Sequence, residues 1–359
     1  MRVLMVHDNP VTSGYGAEAY VRRLVAGLRN GGDEVEVFAG EVSHRGSARV
    51  LDVWDPRARR LLRERVEKFR PDVIHHHNVV RELSVSVLGA SDRPAVMTVH
   101  DQRLLGAVEH PRRSVMGVAE RTVSALARHR VARRTRAVVG VSAAVTTALR
   151  DAGFPCCYTV PVPVLNPVVP PRPVADCRDV AVVARLAPDK GVDVVLRAFI
   201  AVADRIPHTV LHVAGDGPMR AALVRTAAGL GSQVVFHGHL DEAGVSALLG
   251  RVAVVVVASV PSRRPEGSSM ALVEAAAHGR PVVASDDPAV RELADELAGV
   301  VVTPAGDVER LAVAIAELLA DLPRAQRLGD ANRETALRRH SIGAVAGATR
   351  RIYDEVLAA

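Results

Sequence analysis

Two glutamates, Glu266 and Glu274, lie eight residues apart in the segment Pro265–Pro281. The apolar run Val252–Val260 predicts a buried parallel strand, and the alanine-rich segment Met270–His278 predicts the helix that follows it. On a helix, eight residues span about 12 Å. That distance is too great for the paired carboxylates of a glycosidase. The spacing suits two hydroxyl-rich rings at opposite ends of one extended ligand.

Four residues between these glutamates could bind an anion through the backbone: Gly267, Ser268, Ser269 and Met270. They occupy the predicted N-terminus of the helix, where N–H groups lack intrahelical partners and the helix dipole favours negative charge. A ligand with a ring at each end and an anion between them has the shape of a nucleotide sugar. The segment therefore predicts a nucleotide-sugar site.

A second set of charged residues flanks another predicted turn from strand to helix, in VVARLAPDKGVD. Arg185 and Lys190 place two permanent cations there, and together they could clamp a diphosphate. A guanidinium binds phosphate oxygens in pairs, whereas an ammonium acts as a point charge. A surface Arg and Lys in an ordinary turn would have the same spacing, so the R-x4-K pattern alone leaves both interpretations open.

Short apolar strands alternate with amphipathic helices along the chain, which predicts an α/β protein built on doubly wound parallel sheets. The predicted strands are Arg2–His7, Glu34–Phe38, Asp72–His76, Ala95–Val99, Asp179–Val183, Thr209–Ala214, Gln233–His237, Val252–Val257 and Pro281–Ala284. The predicted helices are Glu18–Asn30, Val192–Arg205, Met219–Leu230, Ala243–Leu249, Met270–His278 and Val308–Leu319.

Seven prolines lie between Pro155 and Pro173, a density that excludes a helix or the interior of a sheet. This stretch predicts a junction between two Rossmann-like domains, residues 1–165 and residues 166–345. Ligands of such sheets bind outside the carboxyl ends of the strands. The cleft between the two halves is therefore the expected site.

Composition limits the classes of protein that this chain can belong to. It has 359 residues, 48% of them hydrophobic, but only four Tyr, five Phe and one Trp, which argues against a base-stacking nucleic-acid platform. Its three cysteines form no disulfide framework. We find no signal sequence and no apolar run near the ~18 residues of a membrane span. We therefore expect a cytoplasmic protein.

The net charge of +6 is concentrated in the first half of the chain, with seven basic residues in Arg57–Arg70 and eight in Arg112–Arg136. One interpretation is a solvated, arginine-rich helical surface. The other is a basic face that meets an anionic membrane, an acidic acceptor or a partner protein. Both interpretations stay open, and peripheral membrane contact through this half belongs to the second.

Taken together, the motifs resemble the family 4 retaining glycosyltransferases of the GT-B fold, in which two Rossmann-like domains face a central cleft. The resemblance rests on ARLAPDKG, AGDGPMR, FHGHLDE and PEGSSMALVEAAAHGRPVVAS in the second half, and on GAEAYVRRLVAGLRNGGDEVEVF, PDVIHHHN, AVMTVHD and VSAAVTTAL in the first. It covers nearly the whole chain. It also implies that a last helix, residues 346–359, packs back on the N-terminal, acceptor-binding domain.

The resemblance implies a role for each of the charged residues. Glu266 would bind hydroxyls of the donor sugar, Glu274 would hold the ribose, and Arg185 with Lys190 would bind the donor diphosphate. Backbone groups of three residues after a strand would hold the base: Gly238, His239 and Leu240.

Two further positions come from the first half. A glycine after the first strand would approach the distal phosphate, and Gly16 is the best match; the family usually has two adjacent glycines, whereas here Tyr15 follows Gly14. His100 ends a predicted strand. On sequence alone it is a structural histidine, but the resemblance implies a position near the reacting end of the sugar. The run His75–His77 invites a metal site, yet strand alternation turns the middle side chain away, and we expect no metal.

The predicted function is therefore metal-independent transfer of a sugar, with retained configuration, from a UDP- or GDP-sugar or similar donor to a hydroxyl acceptor. The acceptor would be a small molecule, a glycan or a lipid-linked group, bound near Gly40–Arg49 and Gln102–Arg121. We expect no cofactor besides this co-substrate. The alternatives are another GT-B enzyme, such as a nucleotide-sugar epimerase, or a basic protein that binds nucleic acid or membranes; we expect no nucleic-acid partner.

Overall fold

The structure is a computed structural model that describes residues 1–11, 16–40, 55–79, 83–101, 104–105, 115–167, 169–260 and 267–359. The chain divides into two compact units. The first comprises Met1–Pro163, Arg263–Ser268 and Ile342–Ala359, and the second comprises Val164–Ser262 and Ser269–Ser341.

The first unit contains a six-stranded parallel sheet in the order β2-β1-β3-β4-β5-β6. Its strands are β1 (Arg2–His7), β2 (Glu34–Ala39), β3 (Val73–His77), β4 (Ala95–Val99), β5 (Ala137–Gly140) and β6 (Cys157–Thr159). Its helices are α1 (Ala17–Asn30), α2 (Pro56–Phe69), α3 (Val115–Arg134), α4 (Ala143–Asp151) and α12 (Ile342–Ala358).

The second unit contains another six-stranded parallel sheet, in the order β12-β11-β10-β7-β8-β9. Its strands are β7 (Val180–Val183), β8 (Leu211–Ala214), β9 (Val234–Gly238), β10 (Val254–Val257), β11 (Val282–Ser285) and β12 (Val300–Thr303). Its helices are α5 (Val192–Arg205), α6 (Arg220–Thr226), α7 (Glu242–Leu249), α8 (Met270–Ala277), α9 (Pro288–Glu296), α10 (Val308–Ala320) and α11 (Leu322–His340).

The predicted class, two doubly wound parallel sheets, is confirmed, but one predicted helix is wrong. Met219–Leu230 is not continuous, because α6 ends at Thr226 and a short 3-10 segment, Ala228–Gln233, follows. Gly231 within that segment has a positive φ of 53°. A residue in that conformation cannot continue an α-helix, so the backbone turns into β9 there.

The proline-rich stretch contributes one short strand, β6, which pairs only with β5. An edge position tolerates the nearby prolines because the outer side of an edge strand needs no N–H donors. At the other end of the chain, α12 packs on α1, where a Cβ on Gly27 would lie 2.7 Å from Ile342 Cγ2. Glycine at this crossing lets the two helices approach closely.

Glycines also allow close packing around the turn that carries Arg185 and Lys190, the residues predicted to bind a diphosphate. A Cβ on Gly191 would lie 2.0 Å from the carbonyl oxygen of Ala258, and one on Gly215 would lie 1.8 Å from that of Ala184. The turn after β7 therefore packs against the exit of β10 on one side and against the loop after β8 on the other. The Gly-Asp-Gly-Pro sequence in that loop therefore contributes to this packing.

Gly191→Ala tests this packing, and Gly306→Ala in the same unit is its control. Both glycines have positive φ, 59° and 79°, but no atom lies within 4 Å of a Cβ built on Gly306. The control should lose about 1–2 kcal/mol of unfolding free energy to backbone strain. Gly191→Ala should lose about 1–3 kcal/mol more from overpacking. Urea denaturation measures both, and equal losses would contradict the proposed contact.

Three consecutive histidines in β3 are all buried: His75, His76 and His77. Burial lowers the pKa of His75 to about 3, with a smaller effect from neighbouring His76. Burial also lowers the pKa of His76 to about 3. These imidazoles are therefore neutral in the folded protein at neutral pH, whereas the unfolded chain protonates them as the pH falls below about 6.5.

The first unit should consequently lose stability on acidification. Because the unfolded state binds the additional protons, each such histidine lowers the unfolding free energy by about 1.4 kcal/mol per pH unit between roughly pH 6.5 and pH 3. His76→Leu removes one titrating group and should reduce the slope by that amount. Urea denaturation followed by circular dichroism at pH 7.5, 6.0 and 5.0 measures the slope, and identical slopes for both proteins would refute the assignment.

Candidate functional site

The strand order of the second unit fixes where a ligand can bind. From β7 the chain builds outward through β8 and β9 on one side, and then returns to lay β10, β11 and β12 on the other. The switch point is therefore between β7 and β10, and the loops that leave their carboxyl ends diverge to opposite faces and leave a crevice. The turn with Arg185 and Lys190 follows β7, and α8 follows β10.

An ion-pair network lies in the turn after β7. Asp189 accepts from Arg185 Nη2 at 3.4 Å, and its other carboxylate oxygen lies 3.9 Å from Lys190 Nζ. The carbonyl of Asp189 accepts from the backbone N–H of Val260 at 3.0 Å, which joins the turn to the segment after β10. Asp189 thus holds both cations on one turn.

The two cations differ in exposure. The Arg185 side chain is 64% exposed, whereas that of Lys190 is 17% exposed. Burial lowers the pKa of Lys190 below its ordinary value, Asp189 acts in the opposite direction, and Arg185 lowers the pKa further. Burial makes the ammonium more responsive to an anion, because fewer water molecules screen its charge.

Helix α8, which follows β10, begins with a terminus that has no side-chain cap. Ser269 is the N-cap residue and makes no side-chain capping hydrogen bond. The first turn of α8 begins at Met270, and Glu274 lies half-buried one turn later. The carbonyl of Glu274 accepts from His278 Nδ1 at 2.8 Å, and His278 Nε2 lies 2.8 Å from Ser246 Oγ, which fixes the far end of the helix.

The exit of β9 carries the residues predicted to hold a base. Gly238 has a positive φ of 68°, and its carbonyl accepts from the N–H of Gly215 at 2.7 Å. No atom lies within 4 Å of a Cβ built on Gly238. His239 is exposed and Leu240 is half-buried. The predicted residues of the second unit thus lie in the turn after β7, at the start of α8 after β10, and at the exit of β9.

Other predicted residues are not in this group. Glu266 and Gly14 lie outside the described residues, as do most of the predicted acceptor loops. Gly16, His100, Gly267 and Ser268 belong to the first unit. The assignments of these residues to a donor site remain predictions.

Within the first unit, His100 directly follows β4, the predicted strand. A Cβ on Gly267 would lie 2.2 Å from the His100 carbonyl oxygen and 2.9 Å from Val141 Cγ2. Only glycine fits that contact. Gly16 is the N-cap of α1 with a positive φ of 69°, and a Cβ there would meet no atom within 4 Å. Its backbone conformation, rather than close packing, favours glycine.

Sequence reasoning missed three residues that position these groups: Asp189, Gly191 and His77. Asp189 lies within the R-x4-K motif and Gly191 directly follows it, and an acidic residue between two cations was an available signal. His77 was considered only as a metal ligand. Its Nδ1 lies 3.0 Å from His100 Nε2, a contact between neighbouring strands that one sequence does not show.

Across the described residues, we find no group of three or more His, Cys, Asp or Glu side chains arranged to hold a metal ion. Among the described helices, none combines the length and the apolar character needed to cross a membrane.

Comparison with known proteins places both halves of the chain in one group of enzymes. Residues 15–164 match the family model described as Glycosyltransferase Family 4, and residues 177–321 match the one described as Glycosyl transferases group 1. The two matches cover most of the chain without overlapping.

Two relatives illustrate the similarity of sequence. A GDP-mannose-dependent alpha-(1-6)-phosphatidylinositol monomannoside mannosyltransferase of Mycolicibacterium smegmatis is 36% identical over 175 residues. That match covers 46% of this chain and 44% of the relative, less than half of each protein. A glycogen synthase of Mycobacterium tuberculosis is 29% identical over 298 residues, which cover 79% of this chain and 69% of the relative.

Solved structures show the fold. Sucrose-phosphate synthase from Thermosynechococcus elongatus superposes with a TM-score of 0.76 at 18% identity and covers all of both chains. Anabaena HepE in complex with UDP gives a TM-score of 0.74 at 20% identity, over 99% of this chain and 100% of that one. The fold class is therefore GT-B. Together with the two family matches, this shows that the chain belongs to glycosyltransferase family 4.

Proposed function

We propose that the protein transfers a sugar from a nucleotide-diphosphate sugar to a hydroxyl acceptor, with retained configuration and without a metal ion. One observation carries the proposal. The paired cations of the turn after β7 lie at the switch point of the second sheet, and α8, which follows the other strand at that point, has no side-chain cap at its N-terminus. A diphosphate is the ligand chemistry that two cations and free N–H groups favour at such a place.

The cations would act mainly on the leaving group. As the bond between the sugar C1 and the diphosphate oxygen breaks, negative charge grows on that oxygen, and fixed positive groups stabilise charge that develops in a transition state. Arg185 and Lys190 thereby supply what a divalent ion supplies in other transferases. Asp189 holds both side chains in place before the donor binds.

The configuration at the sugar C1 is retained if the acceptor attacks C1 from the same face that the diphosphate leaves. A bond forms between the acceptor oxygen and C1 as the bond from C1 to the diphosphate breaks, and the acceptor proton passes to a diphosphate oxygen. No nucleophilic carboxylate is needed for this path. Glu266 binds sugar hydroxyls, Gly16 meets the distal phosphate through its backbone, and His100 acts at the reacting end of the sugar, as the family resemblance implies.

Glu274 and the β9 exit would hold the nucleoside. A carboxylate accepts hydrogen bonds from both hydroxyls of a ribose, and charge-assisted bonds of this kind are stronger than neutral ones. Backbone groups of Gly238, His239 and Leu240 would contact the base. The name of the mycobacterial mannosyltransferase makes GDP-mannose the first donor to test. The UDP complex of HepE places UDP-sugars next.

The direct experiment is a thermal-shift panel with UDP-, GDP-, ADP- and dTDP-sugars, followed by a transfer assay with the donor that binds. A ligand that binds only the folded protein raises the melting temperature. One donor should stabilise the protein clearly more than the others, and its diphosphate should be released with the acceptor present. If no nucleotide sugar stabilises the protein at millimolar concentration, the proposal fails.

Lys190→Ala should lower kcat by on the order of 10²-fold or more, the usual loss when one transition-state stabiliser is removed. The control is Arg197→Ala, which removes a cation from α5 of the same unit, one that pairs with Asp193 rather than with the proposed ligands. The control should retain near-normal kcat. Steady-state kinetics with the identified donor measure both, and a near-normal kcat for Lys190→Ala would reject its role.

Glu274→Ala should remove discrimination between ribose and deoxyribose. The folded wild type should bind the preferred ribonucleoside diphosphate about 10-fold to 100-fold more tightly than its 2′-deoxy form, the ratio that a charge-assisted hydrogen bond of roughly 1.5–3 kcal/mol provides. In the variant the two affinities should converge. Calorimetric titration measures them, and an unchanged ratio would exclude Glu274 as the ribose ligand.

A further inference from the structure

The first unit holds a layer of buried imidazole and phenol rings beneath His100. The rings of His75 and His77 are 4.1 Å apart, and the Tyr20 ring meets His100 edge-on at 4.7 Å. His75 is held at both nitrogens, by the Tyr353 hydroxyl at 2.6 Å and by Thr98 Oγ1 at 2.7 Å. The layer fixes the ring of His77 in place.

His77 lies between this layer and His100. It is fully buried at the end of β3, the neighbour of the strand that His100 follows. Its Nδ1 is 3.0 Å from His100 Nε2, which is a hydrogen-bonding distance. One of these nitrogens must therefore be the donor and the other the acceptor.

Both rings are neutral at neutral pH. Burial is the largest influence on each, and it lowers the pKa of His77 and that of His100 well below their ordinary value. Neighbouring histidines lower both further. A neutral imidazole has one N–H group and one lone pair. The position of the proton on one ring therefore decides the tautomer of the other.

The other ring nitrogen of His77, Nε2, indicates which residue is the donor in the hydrogen bond between His77 and His100. Among the described residues, His77 Nε2 is buried and has no hydrogen-bond partner. If Nε2 carried the proton, an N–H donor would be buried without an acceptor. If Nδ1 carries it, the N–H donates to His100 and only a lone pair remains unfilled. Buried N–H groups without acceptors are rarer than unfilled lone pairs, which favours the second arrangement.

We propose that His77 is a positioning residue for His100: its Nδ1–H donates to His100 Nε2 and keeps the His100 proton on Nδ1. The side of the His100 ring away from His77 then presents an N–H donor. Such a donor can bind a sugar hydroxyl or a phosphate oxygen, whereas a bare nitrogen cannot. The role of His100 towards a sugar rests on the proposed function, but its tautomer does not.

The test compares His77→Leu, which removes the donor, with His77→Asn, whose side-chain amide nitrogen can take the place of Nδ1. The control is His76→Leu, which removes a buried imidazole from the same strand on the other face of the sheet. Two-bond ¹H–¹⁵N correlation spectra of the free, full-length protein identify which ring nitrogen of His100 is protonated.

The wild type, His77→Asn and His76→Leu should show His100 protonated on Nδ1, and His77→Leu should show proton density shifted to Nε2. A wild-type His100 protonated on Nε2, or an unchanged tautomer in a folded His77→Leu, would overturn the proposal. If His77→Leu fails to fold, the His100 tautomers of the wild type and of His77→Asn still test whether His77 donates to His100.

Kinetics add a second readout. His77→Leu should lower kcat roughly 10-fold to 100-fold, the range typical when the partner that orients a functional histidine is lost, while KM for the donor changes less. His77→Asn should restore most of the activity. The two proposals can fail separately. If His100 has the predicted tautomer but the protein transfers no sugar, the proposed function is refuted and the positioning role of His77 still holds.

Discussion

The packing of one turn against one strand exit is the constraint on which the candidate site depends. Gly191 lies directly against the carbonyl of Ala258, and the carbonyl of Asp189 accepts from Val260, so the turn after β7 and the segment after β10 form one piece. These are the two strands at the switch point of the sheet. The two cations therefore lie on a turn that packs against the segment leaving β10, and a residue larger than glycine would separate the turn from that segment.

The candidate site of the second unit is charged, whereas the histidine cluster of the first unit is neutral. In the turn after β7, two cations and a carboxylate are partly exposed and paired, so charge is available to an anionic ligand at little desolvation cost. In the first unit, His75, His76 and His77 are buried and His100 is half-buried. None of the four pairs with a described carboxylate, and their lowered pKa values keep the rings neutral at neutral pH. Neutral rings cannot bind a phosphate through charge, but each can present an N–H or a lone pair in a fixed direction.

Local pattern predicted much of the fold. β1, β4 and α5 have the bounds expected from their apolar periodicity, because a strand or helix that must bury one face leaves a regular pattern. Met219–Leu230 was wrong because α6 ends at Thr226 and the residues after it form a short 3-10 segment, Ala228–Gln233. His77 was missed as a positioning residue because its partner, His100, is chosen by distance in space, which a single sequence does not record. Asp189 differs, since it lies within four residues of both cations that it contacts.

The sequence by itself determined the chemistry that the chain can offer: two cations on one turn, glutamates eight residues apart, glycines at the loops, and enough motif similarity to identify the family. Those properties depend on residue type and local spacing. Only the tertiary structure decided which groups meet, that Asp189 bridges Arg185 and Lys190, and that His77 contacts His100. Strand order and close packing set such contacts, and both arise when segments distant in sequence compete to bury the same apolar surface.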